Sequence, residues 1–282
     1  MLILTVDACS PSARLDLVAT ATSQVKDSER VAQALDSPRL NELLARLPAP
    51  DAVAHRFAAG GPQPAIVDDH VRAELDAAAG PGRVPMPESL ALLDFLRERL
   101  PDVPHVACPD SAYTHRWHGL SLDWSLRRAA HLLGRPAGEL DLVLAHVDED
   151  WSVCAARKGV CLDSDGSPAD PVDTEDEFRS ALRHHITKAA EKTGRLDGLV
   201  FTGELGWGSP GLAGAVCAGL PFLGLRGDLV TDREVDAMVS PEGSAVPVLA
   251  VREREELQLA EIARRAVEGE PEIANPDRVR LD

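Results

Sequence analysis

The chain has 282 residues, enough to bury a sizeable core and to form one large or two medium domains. Its net charge of −17 argues against a nucleic-acid backbone as partner. No apolar run reaches membrane-spanning length and no basic-then-apolar leader precedes the first strand, so the expectation is a cytoplasmic protein without a membrane partner. The cysteines at 9, 108, 154, 161 and 217 form no CxxC or Cys/His cluster, which points to reduced buried thiols.

In chain order, residues 2–8 and 14–20 read as paired strands around a tight turn of small residues. Asp7 closes the first run and Arg14 opens the second. An acid there can reach a metal, and turn N–H groups can face phosphate oxygens. Residues 29–47 carry helical spacing broken at Ser37-Pro38, and 52–57 is a short strand. Residues 66–79 and 88–100 are amphipathic helices, 104–108 a buried strand ending at Asp110, and 125–133 a helix that Gly134 stops. A second unit begins near Asp141. Strands at 142–146 and 152–156 flank the acidic turn Asp148-Glu149-Asp150, and 162–176 reads as a loop with no Lys or Arg. Helix 175–192, strand 198–202, helix 211–219, strand 246–251 and helix 253–267 complete the pattern. Strands and helices alternate twice over and each half opens with a hairpin, so two related α/β domains are expected. The boundaries predicted are 1–138 and 139–270, with 271–282 a fraying tail.

Several motifs, in order, resemble those of the acetate kinase family. Asp7-x-Cys9-Ser10-x-Ser12-x-Arg14 is similar to the family's Asn, Gly, Ser-run and Lys signature. His55-Arg56-Phe-Ala-Ala59-Gly60-Gly61 resembles His-Arg-x-x-His-Gly-Gly, and Pro109-Asp110-Ser-Ala-Tyr113-Thr resembles Phe-Asp-Thr-Ala-Phe-His. His118-Gly119-Leu120-Ser121 resembles His-Gly-Thr-Ser. His146-Val-Asp148-Glu149-Asp150-Trp-Ser152 lies where the family has His-Leu-Gly-Asn-Gly-x-Ser. Val200-Phe-Thr-Gly203-Glu204-Leu-Gly206-Trp207 resembles Val-Phe-Thr-Gly-Gly-Ile-Gly-Glu, and Glu253-Arg254-Glu255-Glu256-Leu257 resembles Thr-Asn-Glu-Glu-Leu.

The resemblance implies a shortened two-domain ribonuclease H-like actin/sugar kinase (ASKHA) α/β fold. It implies transfer of a phosphoryl group from ATP to a short-chain carboxylate, acetate or propionate, with Mg²⁺, in a homodimer. Arg56 would hold the carboxylate, Asp110 would orient it and His118 would stabilise the phosphoryl group. Arg14, Ser10, Ser12, Gly203 and Gly206 would line the nucleotide site, and Asp7 with Glu255 would hold the metal. Taken alone, Asp110 also reads as a turn cap and His118 as a hydrogen-bonded structural histidine. Three departures point elsewhere: carboxylates replace glycines in the 146–152 turn, Glu204 replaces a glycine, and the family's Thr-Arg-Ser-Gly element has no counterpart. A carboxylate about 4 Å from a phosphate oxygen costs about 4 kcal/mol at an effective dielectric near 20. The second expectation is therefore a catalytically degenerate relative that senses a small acid or regulates a partner. Trp207 would either stack on adenine or fill the base pocket itself.

Overall fold

The computed structural model describes residues 1–9, 12–32, 35–79, 86–113, 118–148, 151–165 and 174–270. Two compact units emerge from the packing, one built of Met1–Tyr113 together with the segment from Glu255, the other of Thr114–Arg254. The division thus falls at 113/114 where the sequence suggested 138/139. The final helix joins the first unit because its buried residues pack on that unit's strands. The expected tail, 271–282, lies outside the described residues.

In the first unit, β1 (Leu2–Cys9), β2 (Ser12–Ala19) and β3 (Gln24–Val31) form an antiparallel meander. β3 corrects the helical reading of the segment before Ser37. Exposure along it alternates with period two, Val25, Asp27, Glu29 and Val31 being less exposed than their neighbours. The helix begins only at α1 (Ser37–Arg46), where the Asp36 side chain accepts from the Arg39 N–H. β1 continues in parallel to β4 (Ala52–Phe57) and then β6 (His105–Pro109), with β5 (Ala65–Ile66) antiparallel at the edge. The sheet order is β3-β2-β1-β4-β6-β5. Leu40 and Leu43 of α1 and Leu92 and Leu96 of α3 (Met86–Arg99) bury against Leu4, Val6, Leu15, Leu17 and Val53. α2 (Asp69–Ala78) places Leu75 against Phe57 and Ala107. The last helix, α8, spans Glu255–Glu268 and packs across β1, β4 and β6.

The second unit repeats that topology. α4 (Gly119–Leu133) leads into the meander β7 (Asp141–Val147), β8 (Trp151–Arg157) and β9 (Val160–Asp165). β9 occupies the first part of the segment expected to be a loop. β7 runs parallel to β10 (Gly198–Thr202), which runs parallel to β12 (Val248–Ala250), with β11 (Ala237–Met238) antiparallel at the edge. The order β11-β12-β10-β7-β8-β9 matches the first sheet strand for strand. Alternate residues serve opposite faces. Val143, Ala145, Leu199 and Phe201 pack with Leu182 and Ile186 of α5 (Glu175–Thr193) and Val216 of α7 (Pro210–Ala218). Leu142, Leu144, Val200 and Leu249 pack with Leu122 and Leu126 of α4. A sheet covered on both faces needs the near-continuous apolar runs seen in β7 and β10. α5 starts with a reciprocal Thr174–Glu177 capping box and ends at Gly194. Burial pushes the Cys217 thiol up to about 12, which makes it an inert core residue, and Cys108 and Cys154 are buried as well.

The first unit also buries a histidine pair. His105 Nε2 lies 3.3 Å from the Leu100 carbonyl, so it carries the proton and donates. Its Nδ1, 2.9 Å from His55 Nε2, then accepts, and His55 Nδ1 is left as a buried lone pair without a partner. Both rings are therefore neutral. Burial first, then the neighbouring His105 and Arg97, holds His55 well below its ordinary 6.5. The unfolded chain takes up protons below that value while the folded pair resists. Stability is accordingly expected to be full above pH 6.5 and to fall as the pH drops below it. Urea unfolding across this range should show the slope, and His55→Gln should flatten it; an equally steep slope in the variant would refute the assignment.

Candidate functional site

In the first unit, three parallel strands deliver charged groups at their C-terminal ends, where open α/β sheets bind ligands. Asp7 lies near the end of β1, Arg56 near the end of β4, and Asp110 directly after β6 in a short 3-10 turn. Glu255 arrives as the first residue of α8, where the helix N-terminus favours a carboxylate. Arg56 is shared among all three acids. Its Nη2 donates to Asp110 Oδ2 at 2.9 Å and its Nε to the same oxygen at 3.2 Å. Its Nη1 reaches Glu255 Oε2 at 2.9 Å and Asp7 Oδ1 at 3.3 Å. Side-chain exposure is 19% for Arg56 and Asp7, 9% for Glu255 and 2% for Asp110, so these are largely desolvated interactions.

The guanidinium that the motif reading assigned to a substrate carboxylate is thus held by three carboxylates of the protein. Arg14 sits opposite Asp7 in the β1–β2 register but pairs with the buried Asp16, Nε to Oδ2 at 2.9 Å. Burial opposes the charge on Arg14, yet Asp16, Glu256 and Asp7 together raise its pKa. Ser12 opens β2, and Ser10 lies outside the described residues.

The second unit has its own cluster at the equivalent strand ends. His118 caps the N-terminus of α4 in a left-handed conformation, φ 60° and ψ 28°, which L-residues adopt at a cost. Its ring stacks on His146, at the end of β7, with centroids 3.9 Å apart and planes 15° from parallel. His118 Nδ1 is 3.0 Å from Ser152 Oγ, and Ser121 Oγ is 3.0 Å from His146 Nδ1. Ser121 closes the same His118-Gly119-Leu120-Ser121 motif, a signal that could have added it to the candidates. His146 and Ser152 are cross-strand partners, a pairing that the hairpin register sets and the motif alone did not single out.

Gly203 follows β10 at φ +81°, and a Cβ there would lie 2.5 Å from the Val147 carbonyl oxygen. Gly206 faces the same Val147 side chain, its hypothetical Cβ 3.4 Å away. Gly203 therefore lets the segment press onto the end of β7, whereas a Cβ at Gly206 would sit in ordinary contact with Val147. The Glu204 N–H donates to Asp148 Oδ2 at 3.4 Å. Glu149 and Asp150 of the acidic turn lie outside the described residues. Trp207 is engaged by two cations, Arg252 at 3.9 Å and Arg233 at 5.1 Å from its ring centroid, and Arg233 also donates to the Trp207 carbonyl.

Two matching sheets, each with polar groups gathered at the C-terminal ends of its parallel strands, define a two-domain actin-like ASKHA fold. The solved structures agree. A propionate kinase from Francisella tularensis subsp. tularensis SCHU S4 superposes with a TM-score of 0.80 at 15% identity, covering 94% of this chain and 99% of that one. In sequence, a model of the acetokinase family matches residues 172–261. Acetate kinase of Leifsonia xyli subsp. xyli is 28% identical over 311 aligned residues, covering 77% of this chain and 78% of that one. Acetate kinase of Clavibacter michiganensis subsp. michiganensis is 26% identical, covering 78% and 79%. In sequence the chain is thus similar to the acetate kinases over more than three quarters of its length. No helix among the described residues is long and apolar enough to cross a membrane.

Proposed function

We propose that the chain transfers the γ-phosphoryl group of ATP to a short-chain carboxylate such as acetate or propionate, yielding ADP and an acyl phosphate. The observation that carries this reading is the convergence of Asp7, Asp110 and Glu255, from three separate segments, on the Arg56 guanidinium. A planar guanidinium matches a carboxylate bidentately, and a substrate carboxylate would exchange with one of the three internal acids. Asp110 then orients Arg56 from its buried position. Asp7 and Glu255 offer the hard oxygen donors that Mg²⁺ takes, and carboxylates outnumber the guanidinium three to one in this set. When bound, that ion neutralises phosphate charge. Arg14, Ser10, Ser12, Gly203 and Gly206 are the nucleotide-side residues of this reading. His118, oriented by Ser152, donates a hydrogen bond to the phosphoryl oxygens as charge develops there.

A second reading, a non-catalytic sensor of small acids or a regulatory protein, is favoured by two observations. Trp207 is already covered by guanidinium groups, and Asp148 stands where the resembled turn has glycine. Incubation with Mg·ATP, acetate or propionate and hydroxylamine separates the two. Phosphotransfer predicts hydroxamate formation and a calorimetric Mg·ATP isotherm. Absence of both at millimolar nucleotide overturns it in favour of the sensor.

A further inference from the structure

We propose that the second unit carries a divalent-cation site formed by His146, Asp148 and Glu253, separate from the Asp7–Glu255 pair of the first unit. A ring nitrogen of His146 and one carboxylate oxygen from each of Asp148 and Glu253 all lie within 4.8 Å of one another. The three come from the end of β7, the residue after it, and the segment between β12 and α8, a sequence separation of more than a hundred residues. Both carboxylates stand where the resembled motifs carry a glycine and a threonine. The ligand set is therefore a property of this chain rather than of the pattern it resembles.

The surroundings suit a metal ligand in two respects. His146 is 2% exposed and its ring is fixed from two sides, by the stack on His118 and by Ser121 Oγ at Nδ1. An outer hydrogen bond of this kind sets tautomer and ring direction in metal-bound histidines and assigns ligation to Nε2. Asp148 and Glu253 are only half-buried, so rotation about their side-chain torsions can close the set onto an ion at about 2.0–2.2 Å. One imidazole with two carboxylates selects a first-row ion such as Mn²⁺ or Zn²⁺ over Mg²⁺ or Ca²⁺, which prefer all-oxygen shells. Three protein donors leave coordination positions open to water or an anionic oxygen. The site accounts for the acidic turn without requiring that the chain phosphorylate anything.

The test is titration of the chelator-stripped chain with Mn²⁺, followed by paramagnetic resonance of the free ion, and with Zn²⁺ by calorimetry. One equivalent of the uptake should belong to this site: Asp148→Asn and Glu253→Gln should each weaken that equivalent by at least about tenfold, while Glu255→Gln, which alters only the first unit's pair, should leave it in place. His146 is buried in the fold, so the half-buried carboxylates and not the imidazole carry the test. Three results overturn the proposal: no uptake of either ion at millimolar concentration, uptake that survives both carboxylate changes, or uptake lost equally in Glu255→Gln.

Discussion

Arg56→Gln is expected to lower the unfolding free energy by about 3–5 kcal/mol, because it strips the countercharge from three carboxylates that are largely out of water. Glutamine keeps much of the side-chain volume and two N–H donors, so the loss reports charge more than packing. Asp7→Asn in the wild-type background should cost far less, since Arg56 retains Asp110 at 2.9 Å and Glu255 at 2.9 Å. Combined with Arg56→Gln, Asp7→Asn should recover part of the loss by removing one of the stranded like charges. The cycle should thus show a coupling of about 0.5–3 kcal/mol, readable from urea midpoints at constant slope. Strict additivity would mean that the four groups do not act as a unit.

The same cycle bears on function. If a substrate carboxylate must displace an internal one from Arg56, weakening the internal cage should ease its entry. Asp7→Asn is the milder way to do that, and it restores the residue that the resembled hairpin signature carries. A lower KM for acetate in that variant, with the hydroxamate assay as readout, is the direction expected.

How far the sequence speaks for itself depends on the range over which each feature is determined. The parallel strands β4 and β10 are short apolar runs bounded by turns, and their bounds are legible from local pattern alone. The charged stretch around Glu29-Arg30 at the end of β3 satisfies helical spacing locally. Its partner β2, contributed from a dozen residues upstream, decides the matter. β9 was missed for a related reason: its last residues are Asp- and Ser-rich, the composition of a loop, and only pairing with β8 makes them a strand. For the candidate site, motif order identified Arg56, Asp110, Asp7 and Glu255 individually. Their mutual pairing was not legible, because it depends on three strands ending at one level and on the final helix folding back onto the first unit. The convergence of Asp148 and Glu253 on His146 is hidden for the same reason. The space at Gly203, by contrast, could be anticipated as a glycine requirement, but its occupant, the Val147 carbonyl, is set by the tertiary fold.

At position 118 the usual helix ranking should invert, and activity should separate from stability. His118 holds φ 60° at the N-terminus of α4, where a Cβ is penalised by about 1–2 kcal/mol and glycine is not. His118→Ala and His118→Gly both forfeit the stack on His146 and the contact with Ser152, worth about 0.5–1.5 kcal/mol each. Only glycine relieves the backbone in exchange, partly offset by its larger unfolded-state entropy. The glycine variant should therefore unfold at a higher urea midpoint than the alanine variant, by an amount equivalent to about 1 kcal/mol. Both should lose acyl-phosphate formation by about 10²–10³-fold, the scale of removing one donor that meets developing negative charge. Mg·ATP binding, measured by calorimetry, should survive in both, since the group acts on the phosphoryl oxygens during transfer. An alanine variant as stable as glycine would deny the strained backbone. A glycine variant with near wild-type turnover would leave His118 a structural histidine, its strain bought for packing alone.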